Sequence, residues 1–85
     1  MDDLGKQFEQ AVADSKRLAE RPDNAVLLQL YALYKQASEG DASGERPGMS
    51  DFVGRAKWDA WKALEGTVPD DAKRQYVALV EELKG

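Results

Sequence analysis

The sequence predicts a single all-α domain, and three observations support that prediction. Apolar residues recur three and four positions apart in four separate segments, which is the spacing of one face of a helix. Proline and glycine interrupt the pattern between those segments. No segment alternates apolar and polar residues over five or more positions, as a half-buried strand would. A chain of 85 residues can bury one hydrophobic core but not two, so we expect residues 1–85 to form one domain.

The first predicted helix spans residues 3–20. Its apolar positions follow a helical period that Ser15 interrupts. They are Leu4, Phe8, Ala11, Val12 and Leu18. Pro22 disfavours the helical conformation at Arg21, and this pair therefore ends the helix.

The second predicted helix runs from Asn24 to about Glu39. Asp23 or Asn24 can cap its N-terminus, and Gly40 can end it in the left-handed conformation. Its apolar positions are Leu27, Leu28, Leu30, Leu33 and Ala37. Residues 40–50 are rich in glycine, serine and proline and have no periodicity, so we predict a loop there.

The third and fourth helices have equally clear starts. Ser50 or Asp51 can cap the third, which is predicted to continue to Gly66. The fourth begins within residues 67–71, where Pro69 suits a first helical turn and two aspartates complement the helix dipole. The wide face of the third helix carries Gly54, Lys57, Trp58, Trp61 and Leu64, and the apolar stripe of the fourth carries Tyr76, Val77, Val80 and Leu83.

Composition excludes several classes of function. The chain contains neither cysteine nor histidine, so a disulfide framework, a thiolate site and the usual zinc sites are impossible. A net charge of -4 argues against nucleic acid or an anionic membrane as the main partner. No stretch approaches the ~20 apolar residues of a membrane span, and the N-terminus lacks the pattern of a signal peptide. We therefore expect a soluble cytoplasmic protein that does not insert stably into membranes. We also expect a monomer.

A cluster of aromatic and basic residues is the strongest candidate for a binding site. Tyr31, Tyr34 and Lys35 are three and four positions apart, so they share one surface of the second helix. Lys57 has a similar aromatic neighbourhood in Trp58 and Trp61. Lysine and tyrosine can both donate to a phosphate, and an aromatic ring can stack on a base. The competing interpretation is that such lysines are solvated and that the tryptophans are core residues.

Nothing in the sequence predicts a reaction centre. The serines have no candidate base, and the adjacent acidic pairs Asp70–Asp71 and Glu81–Glu82 fit helix caps and solvated faces. The glycine-containing loop lacks the lysine spacing of a phosphate-binding loop. We expect no enzymatic activity, no cofactor and no metal.

Three motifs along the chain carry a family resemblance. The runs YALYKQASEGD, ERPGM and FVGRAKWDAW, followed by Tyr76 in a last helix that ends VEELKG, resemble the acyl-CoA-binding protein family over essentially the whole chain. The resemblance implies a four-helix bundle with up-down-down-up topology. It also implies a non-catalytic cytoplasmic carrier of long-chain acyl-CoA thioesters, with enzymes that use acyl-CoA as possible partners.

The resemblance also assigns expected roles to individual residues. Tyr31, Lys35 and Lys57 match the residues that grip the 3′-phosphate of CoA. Tyr34 matches the tyrosine that lies against the adenine, and Tyr76 matches a tyrosine that closes the site from the last helix. Lys16 matches a basic position near the nucleotide, and Leu27 and Leu28 match apolar positions that border the acyl chain. Trp58 and Trp61 match a tryptophan pair, of which the first lies beside the site and the second is more buried.

Two positions depart from the family pattern. Val53 stands where many members carry a lysine, so one favourable charge near the phosphates is expected to be missing. Ser15 stands where an apolar side chain usually packs against the last helix, so it is expected either to loosen that contact or to bond to nearby backbone. The alternative function for the same fold is a helical protein-interaction module without a lipid ligand, since exposed aromatic residues also suit protein interfaces.

Overall fold

The computed structural model describes residues 3–85, and within them the fold is all-α, as predicted. Its helices are α1 (Asp3–Ser15), α2 (Asn24–Glu39), α3 (Phe52–Lys62) and α4 (Pro69–Lys84). They form a four-helix bundle with up-down-down-up topology. No helix in the described part of the chain has both the length and the apolar content needed to cross a bilayer.

The first helix is shorter than the sequence predicts. It ends at Ser15, so the predicted extension over residues 16–20 is wrong. Lys16 and Arg17 instead donate backbone hydrogen bonds three residues back, to Ala13 and Asp14, at 3.2 and 2.9 Å. Such bonds tighten the last turn and end the α-helical ladder. Leu18, which the prediction placed on the helix, lies beyond it.

The bounds of α2 agree with the prediction. Asp23 is its N-cap, and its side-chain oxygen accepts the backbone N–H of Val26 at 2.9 Å. Gly40 follows the helix with a φ of 83°, where a Cβ atom would be strained. The third helix is capped by Asp51 but ends at Lys62 rather than at Gly66, because the chain leaves it through consecutive turns.

The core lies where α4 packs against α1 and α2. Ala72 and Val80 of α4 are fully buried, and they meet Phe8 of α1 and Leu33 of α2 in one apolar cluster. Among the helices of residues 3–85, α3 packs only against α2. The second helix therefore packs against both α3 and α4, and it is the helix that holds α3 in the bundle.

A polar cluster joins the end of α2 to the turn before α4. Gln36 is fully buried, and its Nε2 donates to Asp41 Oδ1 and to the Thr67 carbonyl, both at 2.8 Å. The same Asp41 oxygen accepts the backbone N–H of Gly66 at 2.9 Å. That backbone bond, followed by the bond from Gln36, lowers the pKa of Asp41. The Gln36 side chain of α2 thereby holds both the loop after α2 and the turn before α4 in place.

Ser15 contributes a hydrogen-bonded contact between α1 and α4. Its Oγ donates to the Val12 carbonyl at 2.7 Å and accepts the Tyr76 hydroxyl at 3.1 Å. The expected local backbone bond is therefore present, and the serine also satisfies the hydroxyl of a tyrosine that is only 4% exposed. An apolar residue at position 15 would leave that hydroxyl without this partner.

Candidate ligand-binding site

An open groove runs between α2 and α3 and encloses about 420 Å³. Its floor is mainly apolar, with Leu27, Leu28 and Ala56 among the lining residues, and Lys57 stands at its edge. Arg21, Asn24, Tyr31, Phe52 and Val53 complete the lining. We call this space the α2–α3 groove. Its composition suits a ligand that is apolar along one part and anionic at another.

Two side chains of this groove are unusually exposed for apolar residues. Phe52 is 79% and Val53 66% exposed, and both belong to the first turn of α3. They lie at the groove's wall rather than in the core, so a bound apolar chain would remove part of their surface from water. Val53 therefore supplies apolar surface where the family pattern led us to expect only the loss of a charge.

Tyr31 and Lys57 form one of the contacts between α2 and α3. The Lys57 ammonium lies 5.2 Å from the centroid of the Tyr31 ring. This distance is within the range of a cation–π contact, which orients the long lysine side chain over the ring. Two of the three residues predicted to hold a phosphate are thus neighbours at the edge of the α2–α3 groove.

Lys35 has a different environment from the other two. It lines neither the α2–α3 groove nor a second groove on the side of α2 that faces α1. Its ammonium pairs with Glu39 and lies 4.9 Å from the centroid of the Trp61 ring. The hydrogen bond that Lys35 donates to the Glu39 carboxylate is the main reason that the pKa of Lys35 is raised. Trp61 is 6% exposed and donates its Nε1–H to the Gly40 carbonyl at 2.7 Å, whereas Trp58 is only half-buried.

A second groove of about 480 Å³ adjoins the first on the α1 side. Its lining brings together Lys16, Tyr34 and Tyr76, three residues that the sequence assigned to the site. Leu27 and Tyr31 line both grooves, so the two form a continuous surface across α2. We call the second space the α1–α2–α4 groove.

The two outer tyrosines differ in what they can offer a ligand. Tyr34 is 43% exposed and stacks on Phe8 with ring centroids 6.0 Å apart, so one part of its ring is available. Tyr76 is buried, packs edge-on against Phe8 at 5.2 Å, and already donates its hydroxyl to Ser15. Tyr76 therefore forms part of the groove wall and supports it from the last helix.

Sequence reasoning missed four residues of the α2–α3 groove: Arg21, Asn24, Phe52 and Ala56. Phe52 directly follows the cap residue Asp51, and a large apolar residue on a first helical turn outside the helix's main stripe is a signal that could have identified it. The other three carry no such signal in the sequence. Among residues 3–85, no group of acidic side chains is arranged to hold a metal ion.

These features define a small helical binding domain with adjoining aromatic grooves and cations at their edges. The model of the family "Acyl CoA binding protein" matches residues 5–80, and the chain belongs to the acyl-CoA-binding protein family.

Comparison with individual proteins agrees with that assignment. Acyl-CoA-binding protein homolog 1 of Caenorhabditis elegans is 51% identical over 76 residues, which cover 89% of this chain and 88% of that protein. The crystal structure of Oryza sativa acyl-CoA-binding protein 2 superposes with a TM-score of 0.91 at 40% identity, covering 95% of this chain and 88% of the other.

A relative with an enzyme's name matches over a limited part of its length. Enoyl-CoA delta isomerase 2 of Rattus norvegicus is 49% identical over 78 residues, but the match covers only 20% of that protein. It is confined to the acyl-CoA-binding domain of the isomerase. The similarity thus concerns binding and carries no argument for isomerase activity in this chain.

Proposed function

We propose that the protein binds long-chain fatty acyl-CoA thioesters and carries them through the cytoplasm without changing them chemically. The observation that carries this proposal is the apolar α2–α3 groove with Tyr31 and Lys57 at its edge. An acyl-CoA has the matching parts, since a long hydrocarbon chain is joined to a nucleotide that bears several negative charges.

The head group sets the orientation of the ligand. The 3′-phosphate is held by Lys57, Lys35 and the Tyr31 hydroxyl, each through a charge-assisted hydrogen bond worth at best about 1.5–3 kcal/mol. The adenine lies against the exposed face of Tyr34. Lys16, at the edge of the α1–α2–α4 groove, adds positive charge beside the nucleotide.

The acyl chain occupies the apolar part of the α2–α3 groove. Leu27 and Leu28 border it on α2, while Phe52 and Val53 cover it from α3. The ligand leaves as it entered, because the groove offers cations and hydroxyls for holding a phosphate but no pairing of a nucleophile with a base beside them. Storage and delivery to enzymes that consume acyl-CoA are the roles that fit such a site.

The test is isothermal titration calorimetry with palmitoyl-CoA below its micelle concentration, with free CoA and palmitate as controls. We expect tight one-to-one binding of the thioester and much weaker binding of either part alone, because the head group and the chain contact different surfaces. Absence of heat with palmitoyl-CoA, together with no competition by it against a fluorescent acyl-CoA, would overturn the proposal and favour a protein-interaction module.

Replacing Lys35 with alanine gives a second prediction. Lys35→Ala is expected to weaken binding of the CoA ester by more than about 1 kcal/mol, since one charged hydrogen bond to the phosphate is lost. Circular dichroism should show unchanged helical content, because alanine is the best helix former. The matched control is Lys62→Ala, which removes an exposed lysine at the end of α3 that pairs with Glu65 in the following turn. Equal affinity of Lys35→Ala and the wild type would remove Lys35 from the site.

A further inference from the structure

Glu39 is placed where a glutamate does not help its own helix. It is the last residue of α2, where the partial charge of the helix end is negative and a carboxylate is disfavoured. Its partner Lys35 lies four positions before it, which is the less favourable order for such a pair. Helix stability therefore does not explain this acidic residue.

Glu39 instead contacts the cation of the proposed head-group site. The Lys35 ammonium is held between the Glu39 carboxylate and the face of Trp61, 4.9 Å from the ring centroid. The lysine side chain is 22% exposed, so a ligand can still reach it, whereas that of Glu39 is 52% exposed and free to swing into water. The Glu39 carboxylate thus lies at the Lys35 ammonium, which the proposed function assigns to the phosphate of the ligand.

We propose that Glu39 is an internal competitor of the ligand's 3′-phosphate for Lys35 and sets the affinity of the head-group site. The inference rests on the proposed function, because it requires that Lys35 meets the phosphate. An arriving phosphate must either displace the carboxylate from Nζ or accept a like charge beside it. Both alternatives oppose binding, since the first breaks an ion pair and the second places two anions together.

The inference predicts a gain of affinity from removing an ion pair. Glu39→Gln keeps the length and helix propensity of the side chain but removes its charge. We expect octanoyl-CoA to bind this variant about two- to fivefold more tightly than the wild type, the range set by the free energy of an exposed ion pair. The gain should be absent with the 3′-dephospho form of octanoyl-CoA, which lacks the competing group.

Two further variants separate this effect from a general change of charge. Glu81→Gln removes one negative charge from another lysine–glutamate pair, on α4, and is expected to leave affinity unchanged. In a Lys35→Ala background, Glu39→Gln should produce less gain than in the wild type, because the cation for which both anions compete is gone. Calorimetry of these proteins with both esters completes the double-mutant cycle.

The outcomes distinguish this inference from the proposed function. If the wild type binds octanoyl-CoA and Lys35→Ala weakens it, but Glu39→Gln binds like the wild type, the competitor role is wrong and the proposed function stands. An equal gain from Glu81→Gln, or an equal gain with the 3′-dephospho ester, would also overturn it. If the wild type binds neither octanoyl-CoA nor palmitoyl-CoA, the proposed function and the inference fail together.

Discussion

Palmitoyl-CoA is expected to bind far more tightly than octanoyl-CoA. The two ligands share the head group and differ by eight methylenes, each worth about 0.8 kcal/mol when fully buried, which sets an upper bound of about 6 kcal/mol. The α2–α3 groove is open to solvent, so part of the chain stays wet and the measured difference should fall below this bound. Titrations with saturated chains of increasing length should show affinity rising at each step.

A matched pair of valines shows whether the groove is responsible for this rise. Val53 and Val68 are both exposed, at 66% and 55%, but only Val53 lines the α2–α3 groove. Val53→Ala should lower the affinity for palmitoyl-CoA more than that for octanoyl-CoA if the longer chain reaches it. Val68→Ala should change neither. Equal affinities of the wild type for both esters would contradict the buried-chain model.

Replacing Gln36 with alanine is expected to destabilise the fold by about 2–4 kcal/mol. The change leaves the Thr67 carbonyl without its side-chain donor and opens a cavity beside Asp41. One effect offsets part of this loss, because the buried Gln36 Oε1 has no hydrogen-bond partner among the described residues and is removed as well. Urea denaturation followed by circular dichroism measures the change in unfolding free energy.

Gln10→Ala is the control for this prediction. Gln10 also donates a side-chain hydrogen bond to an aspartate, Asp14, at 2.9 Å, but the contact is exposed and within one helix. We expect its removal to change the free energy of unfolding by less than about 0.5 kcal/mol. If both variants lost the same stability, the polar cluster around Gln36 would have no special role in joining the chain connections.

The sequence predicted the number and order of the helices because local signals marked them. Asp23, Asp51 and Pro69 mark starts, and Gly40 marks an end. The ends of α1 and α3 were placed too late. Both helices end in turns with backbone hydrogen bonds three residues back, several residues before Pro22 and Gly66, which the sequence predicts as the stop signals.

The candidate site was predictable only where it lies on one helix. The spacing of Tyr31, Tyr34 and Lys35 places them on one face, but it does not show that Lys35 turns toward Trp61 and Glu39. The approach of Lys57 to Tyr31 depends on how α3 packs against α2. Such contacts between elements far apart in the chain are set by packing, which periodicity within one helix does not encode.

The attachment of α3 to one neighbouring helix has a consequence for how the protein opens. Within residues 3–85, α3 packs against α2 and no other helix, and the proposed ligand lies between these two. A ligand that contacts both helices must be lost before they separate, so its binding free energy adds to the cost of that local unfolding. Amide hydrogens of α3 should therefore exchange more slowly as cargo accumulates, and the unloaded protein should be the form that proteases attack. The amount of carrier would then follow the supply of its cargo.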